Sequence, residues 1–535
     1  MFHFTRWKRP AIVSSVTLSA LALSAGLALS TPVEAKTITA VMHADLRTPG
    51  MMTTAYIVRD FGYMIFDTLL AEDANFKIQP QMAEWKVSDD KLTYTFTLRD
   101  GLKWHDGPPV TAEDCVASLK RWGKVDGMGQ KLMEFTASIE ATDPKTITLK
   151  LKEPYGLVLE SIGKPSSLVP FMMPKRMAET PIDKPLPELI GSGPFKFVPA
   201  EFQPGVKAVF DKNKDYVPRK EAPSWTSGGK VVKVDRVEWI TMADAQTAVN
   251  ALQSGDIDFM EAPSFDILSV LEANPDLKVE TLNKLGFQTL GRMNFLLPPF
   301  DNVKVRRAAF MAMNQKDVLD ALVGNPKYYK VCGAVFICDT PLATDVGSES
   351  LVKGNGMAEA KKLLAESGYD GTPIVIMAPG DVVTLKAQPI VAAQLLREAG
   401  FKVDVQATDW GTVISRRTSQ KPVKEGGWNM FFTNWVAADV INPVANVSIG
   451  GKGTKGGWFG WSEDAKVEAL RDAFVRASTP EDQKKIAADI QKEVYDQVIY
   501  IPLGQYFGPS AWRKSLTGVL DGPATPIFWN IDKSE

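Results

Sequence analysis

Histidine is nearly absent from this chain, with three in 535 residues. His3 lies in the basic amino terminus, and His43 and His105 stand alone. A nickel or zinc centre assembled from several imidazoles therefore cannot be built. Cysteine is equally scarce, at three residues. No Gly-x-Ser-x-Gly, His-Glu-x-x-His or Gly-x-x-x-x-Gly-Lys-Ser/Thr sequence occurs. The usual signatures of α/β-hydrolases, zinc proteases and P-loop nucleotide hydrolases are thus missing, and no catalytic residues are assigned. Charge of one sign is lacking as well: 61 basic residues face 63 acidic ones. Such a balance disfavours nucleic acid or an anionic membrane as partner. Long apolar runs are confined to the first residues, and no later stretch suits a transmembrane helix.

That first segment is informative. Arg6, Lys8 and Arg9 precede an apolar run from Ala11 to Leu29, and Thr31-Pro32-Val33-Glu34-Ala35 follows. Basic, apolar, then small is the layout of a secretory signal peptide, with cleavage expected after Ala35. No cysteine lies nearby to carry a lipid, and no twin-arginine pair occurs in this segment. Removing residues 1–35 takes away three basic residues and one acidic residue, leaving 58 against 62 and a net charge of −4. The remaining 500 residues exceed what one hydrophobic core supports, so two or three domains are expected. Outside the cytoplasm, Cys332 and Cys338, six apart, can close a small disulfide loop worth about 2 kcal/mol. Cys115 sits in an amphipathic helical pattern and reads as a small buried apolar residue.

Strand and helix patterns alternate along the chain, which points to an α/β protein. Leu92, Tyr94, Phe96 and Leu98 share one face of a strand, with Thr93, Thr95 and Thr97 on the other. Ile147, Leu149 and Leu151 repeat that alternation. Thr111, with an acid three residues on, opens a helix to about Trp122. A helix over Ala243–Ser254 ends at Gly255. Others are expected over Val303–Met313, Met357–Ser367 and Gln388–Ala399, and from Pro480 to about Asp496. A strand is expected from Phe401.

In order, the motifs are Ile65-Phe66-Asp67-Thr68-Leu69-Leu70, Pro80 to Trp85, and the block from Ser88 to Asp114. Then come Gly191-Ser192-Gly193-Pro194-Phe195, Asn213 to Tyr216, Leu252 to Asp258, and Pro298-Pro299-Phe300-Asp301 with Arg306. This succession resembles the solute-binding proteins of ABC importers, family 5, in the peptide and nickel branch. The resemblance implies a two-lobe periplasmic binding protein fold of type II, in its large three-subdomain form, with a ligand cleft between the lobes. Lobe one maps to 36–283 plus 505–535, with an inserted subdomain at 67–189, and lobe two to 284–504. Crossings between them fall near Leu285–Asn294 and Ile501–Tyr506. The implied function is periplasmic binding of peptides or related amine-bearing organic solutes and delivery to ABC permease subunits at the inner membrane. A monomer without cofactor is expected. The alternative is a carrier of a metal chelate or haem, which needs few protein ligands.

Five of the thirteen tryptophans (Trp410, Trp428, Trp435, Trp458, Trp461) fall within 52 residues, where an even spread would put one or two. Aromatic faces bind organic ligands at little entropic cost, although a core role is open for most of them. In peptide-binding relatives a tryptophan is followed closely by an aspartate that pairs with the ligand α-amino group. Trp435 and Asp439 match, with one extra residue between them, and Asn434 flanks them. A helix cap or turn is the other reading of Asp439. The resemblance also puts Thr53, Thr54 and Tyr56 on the cleft wall, and Tyr506 near the second crossing. Trp410 completes the candidate ligand set.

One departure from the family pattern concerns the ligand carboxylate. Dipeptide binders hold it with an arginine in a loop after a lobe-two strand. Here that loop, Met377 to Val383, has none, and Lys386 is the nearest cation. Two lookalikes fail on context. Gly451-Lys452-Gly453-Thr454-Lys455-Gly456 fits a dinucleotide fingerprint but is followed by Trp458 to Trp461, so a mobile loop or cleft rim is the better reading. Asp211 to Asp215 mimics the start of a calcium loop, yet Tyr216 and Ala222 replace its glycine and glutamate.

Overall fold

The computed structural model describes residues 35–50, 55–477, 479–523 and 525–534. The signal-like segment before Ala35, and Thr53 and Thr54, lie outside the described residues. Among the described residues no helix is long and apolar enough to cross a membrane.

Strand Thr37–Val41 alternates half-buried threonines with fully buried Ile38 and Ala40. It lies in the middle of a seven-stranded sheet, parallel to Arg236–Ile240 and Phe259–Met260. Antiparallel strands Lys207–Lys212 and Phe195–Phe197 extend one side. On the other side the late strand Ser510–Arg513 inserts between Phe259–Met260 and Leu277–Glu280. Helix Tyr56–Ile65 covers this sheet, with Phe61 packed 5.2 Å from Phe197 and 5.8 Å from Phe210. The Gly191-Ser192-Gly193 motif passes against the end of that helix. A Cβ on Gly191 would sit 1.8 Å from the Ile65 carbonyl oxygen, so the close approach requires glycine there.

A second, six-stranded sheet runs in the order Tyr329–Lys330, Ile501–Tyr506, Phe287–Met293, Met430–Val436, Ile374–Pro379, Val403–Thr408. Between the two sheets the chain passes once before Phe287 and once after Tyr506. Those two residues are directly paired, and their rings stack at 5.0 Å. The disulfide Cys332–Cys338 closes a loop beside this point. The Cys338 N–H donates to Gln505 Oε1 and the Cys332 N–H to Gln315 Oε1. Cys115 is buried and free.

A four-stranded antiparallel sheet, Ala83–Val87, Thr93–Leu98, Thr146–Leu151 and Thr136–Ala141, packs on helix Ala112–Trp122. Thr111 and Asp114 form the reciprocal cap that starts this helix. Elsewhere boundaries shift by a residue or two from the sequence pattern. The helix expected from Ala243 begins at Ala245, because Asp244 accepts the Thr247 N–H and takes the cap position.

Candidate ligand cleft

The six-stranded sheet and the four-stranded unit face each other across a cavity of about 890 Å³. That volume lies in the upper part of the range that holds organic ligands. One wall grows from strand Met430–Val436. Successive side chains point to opposite faces of a strand. Met430 and Phe432 accordingly enter the main core, while Phe431 joins a separate cluster with Trp428 and Trp461. Thr433 and Trp435, on the face of Phe431, line the cavity, and so does Asn434.

Aromatic contacts hold this wall in place. Trp458 lies 5.7 Å from both Phe431 and Trp435, and 5.8 Å from Phe459. The Trp435 Nε1–H donates to Ser448 Oγ at 2.8 Å, which fixes the ring. Buried Arg292 braces the loops behind it by donating to the carbonyls of Phe459, Ser448 and Ile499. Burial presses its pKa down to about 9, opposed by the nearby Tyr500. Helix Trp410–Arg416 adds Trp410 and the exposed Ile414. The Trp410 N–H donates to Asp381, so the loop that lacks an arginine instead anchors this helix.

The facing wall is helix Gly127–Phe135, with Gln130, Lys131 and Glu134. Lys131 crosses to Asp472 at 2.6 Å and also pairs with Glu134 at 3.0 Å. Arg471 pairs with Glu468 at 2.7 Å.

A second polar group lies where helix Tyr56–Ile65 meets the first sheet. His43 Nδ1 is 2.9 Å from Glu261 and 3.8 Å from Asp60. Burial lowers the His43 pKa, but Glu261 and then Asp60 outweigh it, so the net shift is upward. Burial, then Glu261, hold the Asp60 carboxyl well above the usual range. Burial acts upward on Glu261 too, yet His43 brings it below the ordinary value. These three side chains bring donor atoms within 4.8 Å of one another. His43 and adjacent Arg59 thus face the two acidic side chains in one buried cluster.

The match to known proteins is specific. A sequence profile of the bacterial extracellular solute-binding proteins, family 5 (middle), fits residues 77–458. The chain is 41% identical over 530 residues to a probable peptide ABC transporter periplasmic-binding protein, y4tO, of Sinorhizobium fredii. That alignment covers 96% of this chain and 98% of the relative.

This chain belongs to solute-binding family 5.

It is also 27% identical to the glutathione-binding protein GsiB of Salmonella typhi, over 86% of this chain and 87% of the relative. Among solved structures it is similar to the binding protein MoaA in complex with mannopinic acid from A. tumefacien R10, with a TM-score of 0.77 and 22% identity. That match covers 94% of this chain and all of the other. DppA of Helicobacter pylori in complex with the peptide STSA gives a TM-score of 0.72 at 20% identity, over 93% and 98% of the two chains. These likenesses establish the two-lobe periplasmic binding protein fold. Family 5 is a transport family of binding proteins that act outside the cytoplasmic membrane.

Within this family 5 member, the sequence-predicted ligand residues divide into two groups. Trp410, Asn434 and Trp435 line the cavity. Tyr56, Asp439 and Tyr506 gather at the crossing instead. Tyr56 stacks on His43 at 4.0 Å, lies under the Arg59 guanidinium at 4.5 Å, and meets Phe287 at 6.2 Å. Tyr506 stacks on the other side of that chain of rings. Asp439 is 8% exposed. It accepts a hydrogen bond from Ser166 Oγ at 2.5 Å and has Arg59 at 3.9 Å. Burial raises its pKa, opposed first by Arg59. Thr54 lies outside the described residues. Of the five clustered tryptophans, Trp458 also lines the cavity, whereas Trp428 and Trp461 are core. The Gly451–Gly456 stretch forms a turn on the cavity rim. Helix Gly127–Phe135 and Arg417 were missed, because no local pattern marks which exposed face meets a distant wall.

Proposed function

We propose that this chain is the binding component of an ABC importer for peptides or related amine-bearing organic solutes, which it delivers to permease subunits at the inner membrane. The observation that carries this reading is the cavity of about 890 Å³, walled by Trp410, Trp435 and Trp458 on one side and a polar helix on the other. Large aromatic faces with a few fixed polar groups suit an organic solute of peptide size. The 41% identity with a probable peptide-binding relative supports the same class.

In this reading the lobes are 36–283 plus 505–535, with the insert 67–189, and 284–504. The two strand connections act as the hinge. The lobes move toward each other when solute favours the closed form; about 5.5 kcal/mol of differential binding turns a 1:99 population into 99:1. Asp439, at the crossing and outside the lining of the 890 Å³ cavity, receives the solute ammonium group where the solute extends to that point. Besides the Ser166 hydroxyl, its charged neighbour is Arg59 at 3.9 Å, beyond hydrogen-bond length, so an ammonium at contact distance forms the stronger ionic interaction. The chain is exported and cut after Ala35, and it works as a monomer.

Native mass spectrometry of protein recovered from its own periplasm identifies the retained solute and gives the mass of the processed chain. Calorimetry with that solute then tests the anchor. Asp439→Asn is expected to weaken binding by about tenfold to a hundredfold, the scale of a charge-assisted bond. Unchanged affinity rejects the amine anchor. Recovery of a haem or metal chelate rejects the peptide class.

A further inference from the structure

His43 follows strand Thr37–Val41 by two residues, and Glu261 directly follows Phe259–Met260, the parallel strand beside it. Both side chains stand at the carboxyl ends of parallel strands, where open α/β sheets take their ligands. Asp60 reaches the same point from helix Tyr56–Ile65. The backbone holds Glu261 firmly. Its N–H donates to the Val41 carbonyl at 2.9 Å, and its own carbonyl accepts from Ser510 Oγ at 2.7 Å. The His43 N–H donates to Glu261 Oε2 at 2.9 Å, and the His43 ring lies against Tyr56 with centroids 4.0 Å apart.

The oxygens left over point to a ligand. Asp60 is 2% exposed, yet neither of its carboxyl oxygens has a hydrogen-bond partner among the described residues. The neighbouring Thr525 hydroxyl turns to the Pro526 carbonyl instead. Arg59 donates to Ser166 Oγ at 2.7 Å and lies 3.9 Å from Asp439. Glu261 Oε1 is likewise buried with no partner among the described residues. Buried acidic groups are normally paired or coordinate a metal. His43 Nδ1 is 2.9 Å from Glu261 Oε2 and 3.8 Å from Asp60 Oδ2, and all three donor atoms lie within 4.8 Å of one another. Nitrogen and oxygen donors around a tetrahedral metal stand about 3.4 Å apart, inside that spread, so small side-chain shifts complete the triangle. One imidazole with two carboxylates suits zinc and its neighbours, whereas magnesium and calcium ask for six or more oxygens.

We propose that His43 Nδ1, Asp60 and Glu261 bind one divalent cation of the zinc class, with water in the fourth position. The ion ties the two strand ends to helix Tyr56–Ile65. Through the His43 ring it also fixes Tyr56, which meets Phe287 at the crossing. None of the three ligands lines the cavity of about 890 Å³, so zinc binding here is independent of which solute the cavity takes.

Chelator-treated wild-type protein is titrated with zinc by calorimetry, with magnesium and calcium as comparators, and retained metal is counted by elemental analysis after desalting. One zinc per chain is expected, with magnesium and calcium at least about a hundredfold weaker. Asp60→Asn and Glu261→Gln keep the side-chain shape and remove the charge. Each is expected to weaken zinc binding by at least about a hundredfold, more than the loss of a residue that only supports a ligand. Saturating zinc should raise the urea midpoint of the wild-type protein and leave that of Asp60→Asn where it was. Zinc-edge anomalous diffraction from wild-type crystals decides the matter even where a variant fails to fold. A peak about 2.0–2.2 Å from the three donors supports the site. A peak elsewhere or no peak overturns it, as does retention of less than one zinc per chain. Equal zinc affinity in wild-type protein and both folded variants overturns it too, and each of these results leaves solute binding in the cavity standing.

Discussion

Burial alone would strip the proton from His43, yet Glu261 at 2.9 Å and Asp60 at 3.8 Å reverse the sign. Its pKa rises on folding. The stabilisation it brings is therefore complete below the unfolded value of 6.5 and is lost as pH climbs through the higher folded value. Asp60, with its carboxyl held well above 3.8, acts in the same direction, because the folded state keeps its proton to higher pH than the unfolded chain does. Glu261 lies below 4.5, so its contribution is lost only on the acid side, as pH falls through its folded value. The urea midpoint is expected to fall as pH rises above 6.5, and His43→Gln should flatten that fall. An equal slope in the variant would place the pH dependence elsewhere. The individual residues here were visible in the sequence, but their pairing was not. His43, Asp60 and Glu261 come from three separate segments, and only the sheet and its covering helix bring them together.

At the scale of elements, local rules did well where a cap or a face is decided within a few residues. The Thr111–Asp114 cap and the alternating strand Thr93–Leu98 follow from neighbours in sequence. Gly191 shows the other case. Its motif was legible, but its need for glycine comes from the Ile65 carbonyl oxygen, 1.8 Å from where a Cβ would sit. Gly191→Ala should destabilise the protein by about 3 kcal/mol, the upper end for overpacking against unyielding backbone. Equilibrium urea unfolding measures this. A change within about 0.5 kcal/mol would mean that the helix end can shift to make room.

Across the whole molecule the two walls of the cavity are joined by contacts between residues far apart in sequence. Lys131 reaches Asp472 at 2.6 Å, and the Gly156 N–H donates to the Val475 carbonyl at 2.8 Å. Glu153 meets Arg476 at 3.2 Å, and Ser166 meets Asp439 at 2.5 Å. The exposed ion pairs are each worth no more than about 1 kcal/mol, so they bias closure without dictating it. Reversing two of these charges, with Asp472→Lys and Glu153→Lys, turns attraction into repulsion. The double variant should show a larger radius of gyration by small-angle scattering and bind solute several-fold more weakly. Its unfolding free energy should stay within about 1 kcal/mol of the parent. An unchanged radius with and without solute would mean that the two halves do not move.

The order of residues by itself determined the α/β class, the order of elements and the aromatic richness of the second half. Each of these depends on periodicity and composition within short windows, or on an ordered set of motifs spanning nearly the whole chain. Tertiary structure alone decided which candidate side chains share a cavity. Trp410, Asn434 and Trp435 meet helix Gly127–Phe135, while Tyr56, Asp439 and Tyr506 collect at the crossing. It also decided that Arg417 keeps its donors free while Arg416 spends them. Adjacent residues of one type differ only in direction, and direction is set by how distant walls pack.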